Sequence, residues 1–481
     1  MTSHLRLPDG PLVAFYGDDY TGSSAAMEAL TFAGLPTILF LEPPTPERLA
    51  AAGQFRGIGI AGVARSKDAA WMEQHLPPVF DVLASIGAPI SHYKVCSTFD
   101  SAPHIGSIGR AIDLAVPRLG GQWHPLLVGS PAMGRYQVFG HLFATVNGIG
   151  HRLDRHPTMS RHPVTPMDES DLGRHLARQT ARQIGLVDFV TMANGGADGA
   201  LVSARANGAE IISLDVLDQS SLVEAGRLMW KHRGQRLFAV GSQGVEQALV
   251  AYWQSAGLIP ATKPCRSLSA VKRIACISGS CSPVTAEQID HAARHGFEIV
   301  RLDATRAVDA AEWTREIGRG AERGLAAISA GRDPLLITAS GPDDPAIGAL
   351  NAAIKVNGAT TATVNDRIGA GLGCALDQIL QTARLERAMV AGGDTSGHAL
   401  QAMGIYALTA TAPLASGAPL CRASSDREHA RIEIALKGGQ VGGVDLFCLA
   451  RDGNNRRSLP SGSSAPTNFV EKQTLVPIDH A

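Results

Sequence analysis

Two adjacent aspartates, Asp18 and Asp19, sit in the turn Gly17-Asp18-Asp19-Tyr20-Thr21-Gly22, directly after the apolar run at residues 12–16. Like charges this close repel, so the pair needs a cation, a donor or a shared proton. A carboxylate just past the C-terminal end of a first parallel strand lies where open α/β sheets place ligands. It could accept the proton of a substrate hydroxyl, bind that hydroxyl or hold a metal. The plain alternative is a solvated turn that caps the next helix.

Three later stretches could hold phosphate. Ser278-Gly279-Ser280-Cys281-Ser282-Pro283-Val284-Thr285 and Ala391-Gly392-Gly393-Asp394-Thr395-Ser396-Gly397 each lie between a strand-like run and a helix-like run. Glycines and small hydroxyl residues let backbone N–H groups approach an anion at a helix N-terminus. Lys437-Gly438-Gly439-Gln440-Val441-Gly442 follows a strand-like run and adds a cation to a glycine loop. Each taken singly also reads as an ordinary turn; two glycine-rich loops in one region point to a nucleotide. Lys94, Ser97, Thr98, Asp100 and Ser101 gather hydroxyls and both charges after another strand-like run, a mixture that suits a hydroxylated anion. Arg135 or Arg161 could clamp a carboxylate, against the default of a surface ion pair.

Other templates fail. G-x-x-x-x-G-K-[ST], G-x-S-x-G and H-E-x-x-H do not occur. Gly57-Ile58-Gly59-Ile60-Ala61-Gly62 matches G-x-G-x-x-G, but within a strand-like run, so β packing explains it.

The elements that must position these residues alternate. Short apolar runs at 12–16, 37–41, 58–60, 93–95, 126–128, 189–192, 211–214 and 237–240 read as strands, with helical stretches between most of them. A second series runs through 273–277, 298–302, 335–338 and 388–390, and 406–412, 431–435 and 445–450 read as strands without intervening helices. Such alternation predicts two α/β domains, each a mostly parallel sheet covered by helices, with a cleft between them. Pro260, Lys263, Pro264 and Arg266 mark a linker at 259–269 between domains 1–258 and 270–451, and the Ser- and Pro-rich residues 452–481 read as a mobile tail.

Composition narrows the partners. The 481 residues carry a formal net charge of −1 and 5% aromatics, so neither a basic nucleic-acid surface nor a base-stacking platform is indicated. Seven cysteines form no C-x-x-C pair, so no metal ribbon or disulfide framework is expected, and no metal ligands are assigned. No signal-like start or membrane-length apolar run is seen, and a cytoplasmic protein without a membrane partner is expected.

Together the motifs resemble the four-carbon acid sugar kinase family across residues 12–450. The resemblance rests on Asp18, Asp19, Thr21 and Gly22, on Gly134-Arg135, on Gly241-Ser242, on Ser278-Gly279-Ser280, on Gly392-Gly393-Asp394-Thr395 and on the Lys437-Gly438-Gly439 turn. It implies an N-terminal sugar-acid-binding domain, a C-terminal nucleotide-binding domain and ATP with Mg²⁺. It also implies a small sugar-acid substrate such as threonate, erythronate, 3-oxo-tetronate or 3-oxo-isoapionate. A homodimer is the assembly considered. By position, Asp18 and Asp19 would be catalytic. Thr21, Lys94, Ser97, Thr98, Asp100 and Arg135 would face the sugar acid. Ser278, Ser280, Gly392, Gly393, Asp394, Thr395, Gly438 and Gly439 would contact ATP.

One departure stands out. Where the family commonly reads Lys-x-x-Asp-Ser-Thr-Leu-Arg-Gly, this chain has Cys96 for the Asp and Asp100 for the Arg. A carboxylate in place of a cationic fork should reject a carboxylate there and favour hydroxyls, which suggests a branched or oxidised acid such as 3-oxo-isoapionate. The same change leaves a non-catalytic sensor of sugar acid or nucleotide as the alternative.

Overall fold

The computed structural model describes residues 6–146, 148–162, 164–261, 268–427 and 432–454, and the side chain of Asp394 is also outside this description. Most of the expected linker and nearly all of the expected tail therefore lie outside the described residues.

Most of the apolar runs become strands, and those at the centre of the parallel sheet are buried on both faces, as parallel sheets between helix layers require. In the N-terminal half they are β1 (Val13–Gly17), β2 (Thr37–Phe40), β3 (Gly57–Ala61), β4 (Ile90–Lys94), β5 (His124–Leu127), β6 (Arg135–Val138), β7 (His141–Val146), β8 (Ile149–Arg152), β9 (Ile184–Val187), β10 (Ile211–Leu214) and β11 (Leu237–Gly241). In the C-terminal half they are β12 (Ala275–Ser278), β13 (Phe297–Arg301), β14 (Asp333–Ile337), β15 (Arg387–Ala391), β16 (Ile405–Ala415), β17 (Ala418–Ser425) and β18 (Glu433–Lys437).

The N-terminal strands lie in the order β2-β3-β1-β4-β11-β5-β10-β9, all parallel. The C-terminal order is β13-β14-β12-β15-β18, also parallel, extended by the antiparallel β17 and β16. The two halves are not separate sheets. β16 pairs antiparallel with β2, Thr409 opposite Ile38 and Ala407 opposite Phe40, so one 15-stranded sheet runs through both. The strands β6, β7 and β8 form a small meander of their own.

One helix keys the halves together. Tyr20–Phe32 starts at the Asp19 cap, where the carboxylate accepts the Gly22 N–H. Its Tyr20 ring packs so tightly on Gly397 that a β-carbon there would lie 2.0 Å from the ring, and Gln401 donates to the Tyr20 hydroxyl at 2.9 Å. Further along the same helix, the Gly417 N–H at the β16–β17 tip donates to Glu28 at 2.8 Å.

Two expected strands are helices. Residues 189–192 fall in the helix Phe189–Ala193, because Asp188 accepts the Thr191 N–H and caps it, while the strand precedes it as β9. Residues 445–450 fall in the helix Leu446–Asp452, which buries Leu446, Phe447, Cys448 and Ala450. Short apolar runs do not separate a buried strand from a short helix. The strands β6, β7, β8 and β17 carry weaker apolar patterns and were not expected. The G-x-G-x-x-G match is strand, as expected: a β-carbon on Gly59 would meet the Phe15 ring at 2.2 Å.

Burial raises the Glu28 carboxyl to about 7, against the pull of the Gly417 N–H. A raised carboxylic acid gives stability that is complete below its unfolded pKa and is lost as pH rises through the folded value. Thermal melts should therefore show wild type losing stability between about pH 4.5 and 7 relative to Glu28→Gln, which keeps an acceptor for Gly417. Parallel melting curves for the two proteins across that range would exclude this role.

Candidate active site

Both halves place their polar turns where strand order reverses. In the N-terminal half β1 has β3 on one side and β4 on the other, and Asp18-Asp19 and Lys94 stand at the ends of these neighbours. In the C-terminal half β12, which ends at Ser278, lies between β14 and β15, and β15 ends at Ala391. Such crevices, at the carboxyl ends of parallel strands, are where open sheets bind ligands.

At the first crevice one guanidinium organises the acids. Arg65 grips buried Asp18 with Nε at 3.2 Å and Nη2 at 2.6 Å, and Nη2 also reaches Asp19 Oδ1 at 2.8 Å. Asp19 is further held by the Gly22 N–H at 3.0 Å, by the Thr21 hydroxyl at 3.0 Å and by Lys94 Nζ at 4.0 Å. The two carboxyls are pushed in opposite directions. Burial, aided by Asp19, raises Asp18 above the usual range despite Arg65. Burial also acts to raise Asp19, but Arg65, Lys94 and the Thr21 and Gly22 donors outweigh it and hold Asp19 below that range. Asp19 is thus the more readily ionised member, and its side chain is the more open, 14% exposed against 4%.

Beside this pair lies the departing stretch. Thr98 donates to Asp100 at 2.6 Å and its hydroxyl is 2.9 Å from the Cys96 sulfur. Burial works to raise Asp100, yet Arg65, Thr98 and Cys96 hold it low. Phe99, fully buried, takes a left-handed φ of +55°, a strain that an ordinary loop would not keep. Ser97 is half-buried in the same turn. Arg135 gives Nη1 to the carbonyls of Met133, Gly134 and Thr145 at 3.1–3.3 Å, and its buried Nε has no hydrogen-bond partner among the described residues. Arg161 is exposed.

The second crevice is a cradle of three turns. Gly392 opens the helix Gly393–Ala402 with a φ of +121°, which favours glycine. A β-carbon on Gly279 would lie 2.2 Å from the Thr395 hydroxyl, so the first turn closes onto the second. Ser282 caps the helix Pro283–Arg294 and donates to the Gly439 carbonyl at 2.5 Å, while the Ser280 and Thr285 hydroxyls meet at 2.9 Å. Ser278 is buried and accepts the Ser280 N–H at 3.3 Å. Lys437 lies under the loop and reaches it from below, donating to the Gly439 carbonyl at 3.4 Å. Its ammonium is buried beneath it, bound to Thr285 at 2.7 Å and Gln288 at 2.5 Å, and burial lowers it to about 8.

The two crevices meet at Thr21. Its hydroxyl lies 3.6 Å from the position of a β-carbon on Gly438 and 3.9 Å from that on Gly393. The Asp19 turn thus stands one hydrogen bond from the glycine loops. A cavity of about 350 Å³ lined by Glu28, Met133, Gln243 and Gly417 contains none of the motif residues and is a separate feature.

Arg65 is the functional residue that sequence reasoning missed. Its signal was a cation just past the end of β3, the strand beside β1. Asp394 belongs by backbone to the cradle, with its side chain outside the described residues.

Fold and site define a two-domain α/β protein with a carboxylate turn in one half and glycine-rich loops in the other, brought near each other at Thr21. Residues 13–249 match a sugar-binding N-terminal domain and residues 275–447 a nucleotide-binding C-terminal domain. The chain is 46% identical to a 3-oxo-isoapionate kinase of Paraburkholderia graminis, over 94% of this chain and 96% of that protein. It is 31% identical to a 3-oxo-tetronate kinase of Methylobacterium radiotolerans, over 90% and 97%. Solved structures from Salmonella typhimurium (24% identical, TM-score 0.72) and Haemophilus influenzae (23%, 0.66) share the fold, each covering 91% of this chain and 98% of the other. The chain belongs to the four-carbon acid sugar kinase family.

Removing the cation that holds two buried acids leaves charge without a partner, which costs about 3–5 kcal/mol in a fully buried pair. Arg65 is partly open, so Arg65→Gln should lower unfolding free energy by about 2–4 kcal/mol in urea. Loss below about 1 kcal/mol, the range of surface pairs, would mean that Arg65 does not neutralise the pair.

Proposed function

We propose that this protein is an ATP-dependent kinase that phosphorylates a hydroxyl of a small sugar acid, with 3-oxo-isoapionate the leading substrate. One observation carries the reading: Thr21, in the turn that holds Asp18 and Asp19, approaches the glycine loops of the other half, its hydroxyl 3.6 Å and 3.9 Å from the β-carbon positions of Gly438 and Gly393. The higher identity to the 3-oxo-isoapionate kinase than to the 3-oxo-tetronate kinase supports the choice of substrate. In the proposal residues 1–258 bind the sugar acid, 270–451 bind the nucleotide, and 259–269 link them.

The loops fit a polyphosphate: the glycines leave no side chain between the cleft and the backbone, and the helices Pro283–Arg294 and Gly393–Ala402 begin there. Gly392, Gly393, Thr395, Gly438 and Gly439 would supply backbone and hydroxyl donors, and Ser278 and Ser280 would set the turn. When bound, ATP would supply the γ-phosphoryl group and Mg²⁺ would neutralise charge on the phosphates; Asp394 is the acidic residue within the cradle sequence.

Asp19 is the base in this reading. It is the more readily ionised and the more open of the pair, and it takes the proton of the attacking hydroxyl. Asp18 keeps Arg65 in place. Arg135, with an unused buried donor, takes the substrate carboxylate, while Asp100, Thr98, Ser97 and Lys94 bind hydroxyls and the oxo oxygen. The Cys96 and Asp100 departures place the sugar's polar face, not its carboxylate, against this turn. The proposal includes a cytoplasmic location and a homodimer; among the described residues no helix is long and apolar enough to cross a membrane.

Coupled ADP release with Mg-ATP should show turnover of 3-oxo-isoapionate well above 3-oxo-tetronate, D- or L-threonate and D-erythronate. Asp19→Asn should lower kcat by about 10²–10⁴-fold with ATP binding kept, and Arg135→Ala should raise KM more than it lowers kcat. ATP binding without turnover of any acid would turn the reading toward a sensor, and equal turnover of threonate would remove the substrate assignment.

A further inference from the structure

The far end of the nucleotide-side helix carries a group of soft ligands that phosphoryl transfer does not use. His291 lies in the last turn of Pro283–Arg294 and His295 is its C-cap. Their rings stack, with centroids 3.9 Å apart and planes 15° apart. Cys448, on the helix Leu446–Asp452, is buried against them. One ligand atom from each of the three lies within 4.8 Å of the others.

We propose that His291, His295 and Cys448 form a binding site for one soft or borderline divalent cation, Zn²⁺ by preference. Three lines of chemistry meet here. Two histidines four apart on one helical face present their nitrogens to one point, and a thiolate completes a donor set that selects zinc over magnesium or calcium. The tautomer of His295 is set. Its Nδ1 is 2.7 Å from the His291 carbonyl, which can only accept, so Nδ1 carries the proton and Nε2 keeps its lone pair for a metal. The site also stands at a helix C-terminus, whose partial negative charge favours a cation.

The spacing needs a modest closure. Bonds of about 2.0–2.1 Å to nitrogen and 2.3 Å to sulfur put tetrahedral ligand atoms about 3.3–3.7 Å apart, so the rings and thiol would draw in by about 1 Å at most. His295 is exposed and His291 half-buried, so entry needs no unfolding. Binding deprotonates the Cys448 thiol and releases that proton to solvent. Three protein ligands leave the fourth position to water.

The cation would fasten Leu446–Asp452 onto Pro283–Arg294. Arg451 already ties the first helix to the second, through the His295 carbonyl at 3.1 Å. The 12-residue helix is roughly 18 Å long, so the site lies well away from the Ser282 cap at its other end. Zinc here is a structural clamp and is independent of the kinase reading.

The experiment uses full-length protein stripped with a chelator. Zn²⁺ is titrated against a chromophoric competitor, and Co²⁺ serves as the spectroscopic probe. The expected result is one Zn²⁺ per chain, a rise in Tm, and a Co²⁺ complex with a sulfur-to-metal charge-transfer band. Cys448→Ser should abolish that band, and His295→Gln should weaken Zn²⁺ by about 10²-fold or more. His295 is exposed, so His295→Gln should keep the metal-free Tm, and it tests the site even if Cys448→Ser folds poorly. Cys374→Ser, at an exposed cysteine elsewhere, should change nothing. Absence of saturable Zn²⁺ binding, or binding that both site variants retain, overturns the proposal.

Discussion

Charge neutralisation by Arg65 is the constraint on which the N-terminal crevice depends. Asp18, Asp19 and Asp100 would place three carboxyls at the ends of neighbouring strands, in a region largely closed to water. Unpaired, such charges are too costly to bury. Arg65 sees all three and Cys96 as well, and these acids more than offset the burial that would otherwise weaken its charge. A lysine could not make the same contacts, because the planar fork reaches both oxygens of Asp18 and still offers Nη2 to Asp19. The fork therefore fixes where each carboxylate points, and with it which face Asp19 presents to the cleft.

The sheet adds a second constraint. Because β16 pairs with β2, the two halves share backbone hydrogen bonds as well as side-chain contacts. The β16–β17 hairpin springs from the nucleotide side, yet its tip donates to Glu28 on the helix that starts at Asp19. Tyr20, one residue past Asp19, packs on Gly397 in the helix that starts at the glycine cradle. The two crevices thus share contacts with one helix. Motion between the halves must bend this shared strand pair or slide that helix, which favours small closures over wide opening.

Much of this was legible in the sequence because the decisive signals are local. Asp18-Asp19, Ser278-Gly279-Ser280 and Gly392-Gly393 each follow a buried apolar run and precede a helix, and the backbone obeys that pattern. What was not legible depends on partners far along the chain. Residues 189–192 and 445–450 have strand-like composition, and caps and tertiary burial made them helices. Arg65 looks like any surface arginine until β3 is placed beside β1. Lys437 reads as a loop cation, but Thr285 and Gln288, some 150 positions earlier, turn it inward. The joining of the sheets through β16 and β2 has no local signal at all.

The opposite shifts of Asp18 and Asp19 bear on how such a site can work. A base held below the ordinary carboxylate range is weak, which would be a handicap in a reaction that needs early proton removal. Phosphoryl transfer passes through a loose transition state in which the attacking oxygen has made little bond, so the proton can leave late. What the reaction demands is placement, and Asp19 is placed by three hydrogen-bond donors and an ion pair with Lys94. Its lowered pKa favours the ionised form, so in the proposed reaction a substrate hydroxyl would meet an acceptor. Asp18, raised by burial, is the member that can share a proton without altering that acceptor. Under the proposed function, adjacent acids in one turn would take different tasks, the inner one holding the arginine and the more open one accepting the proton.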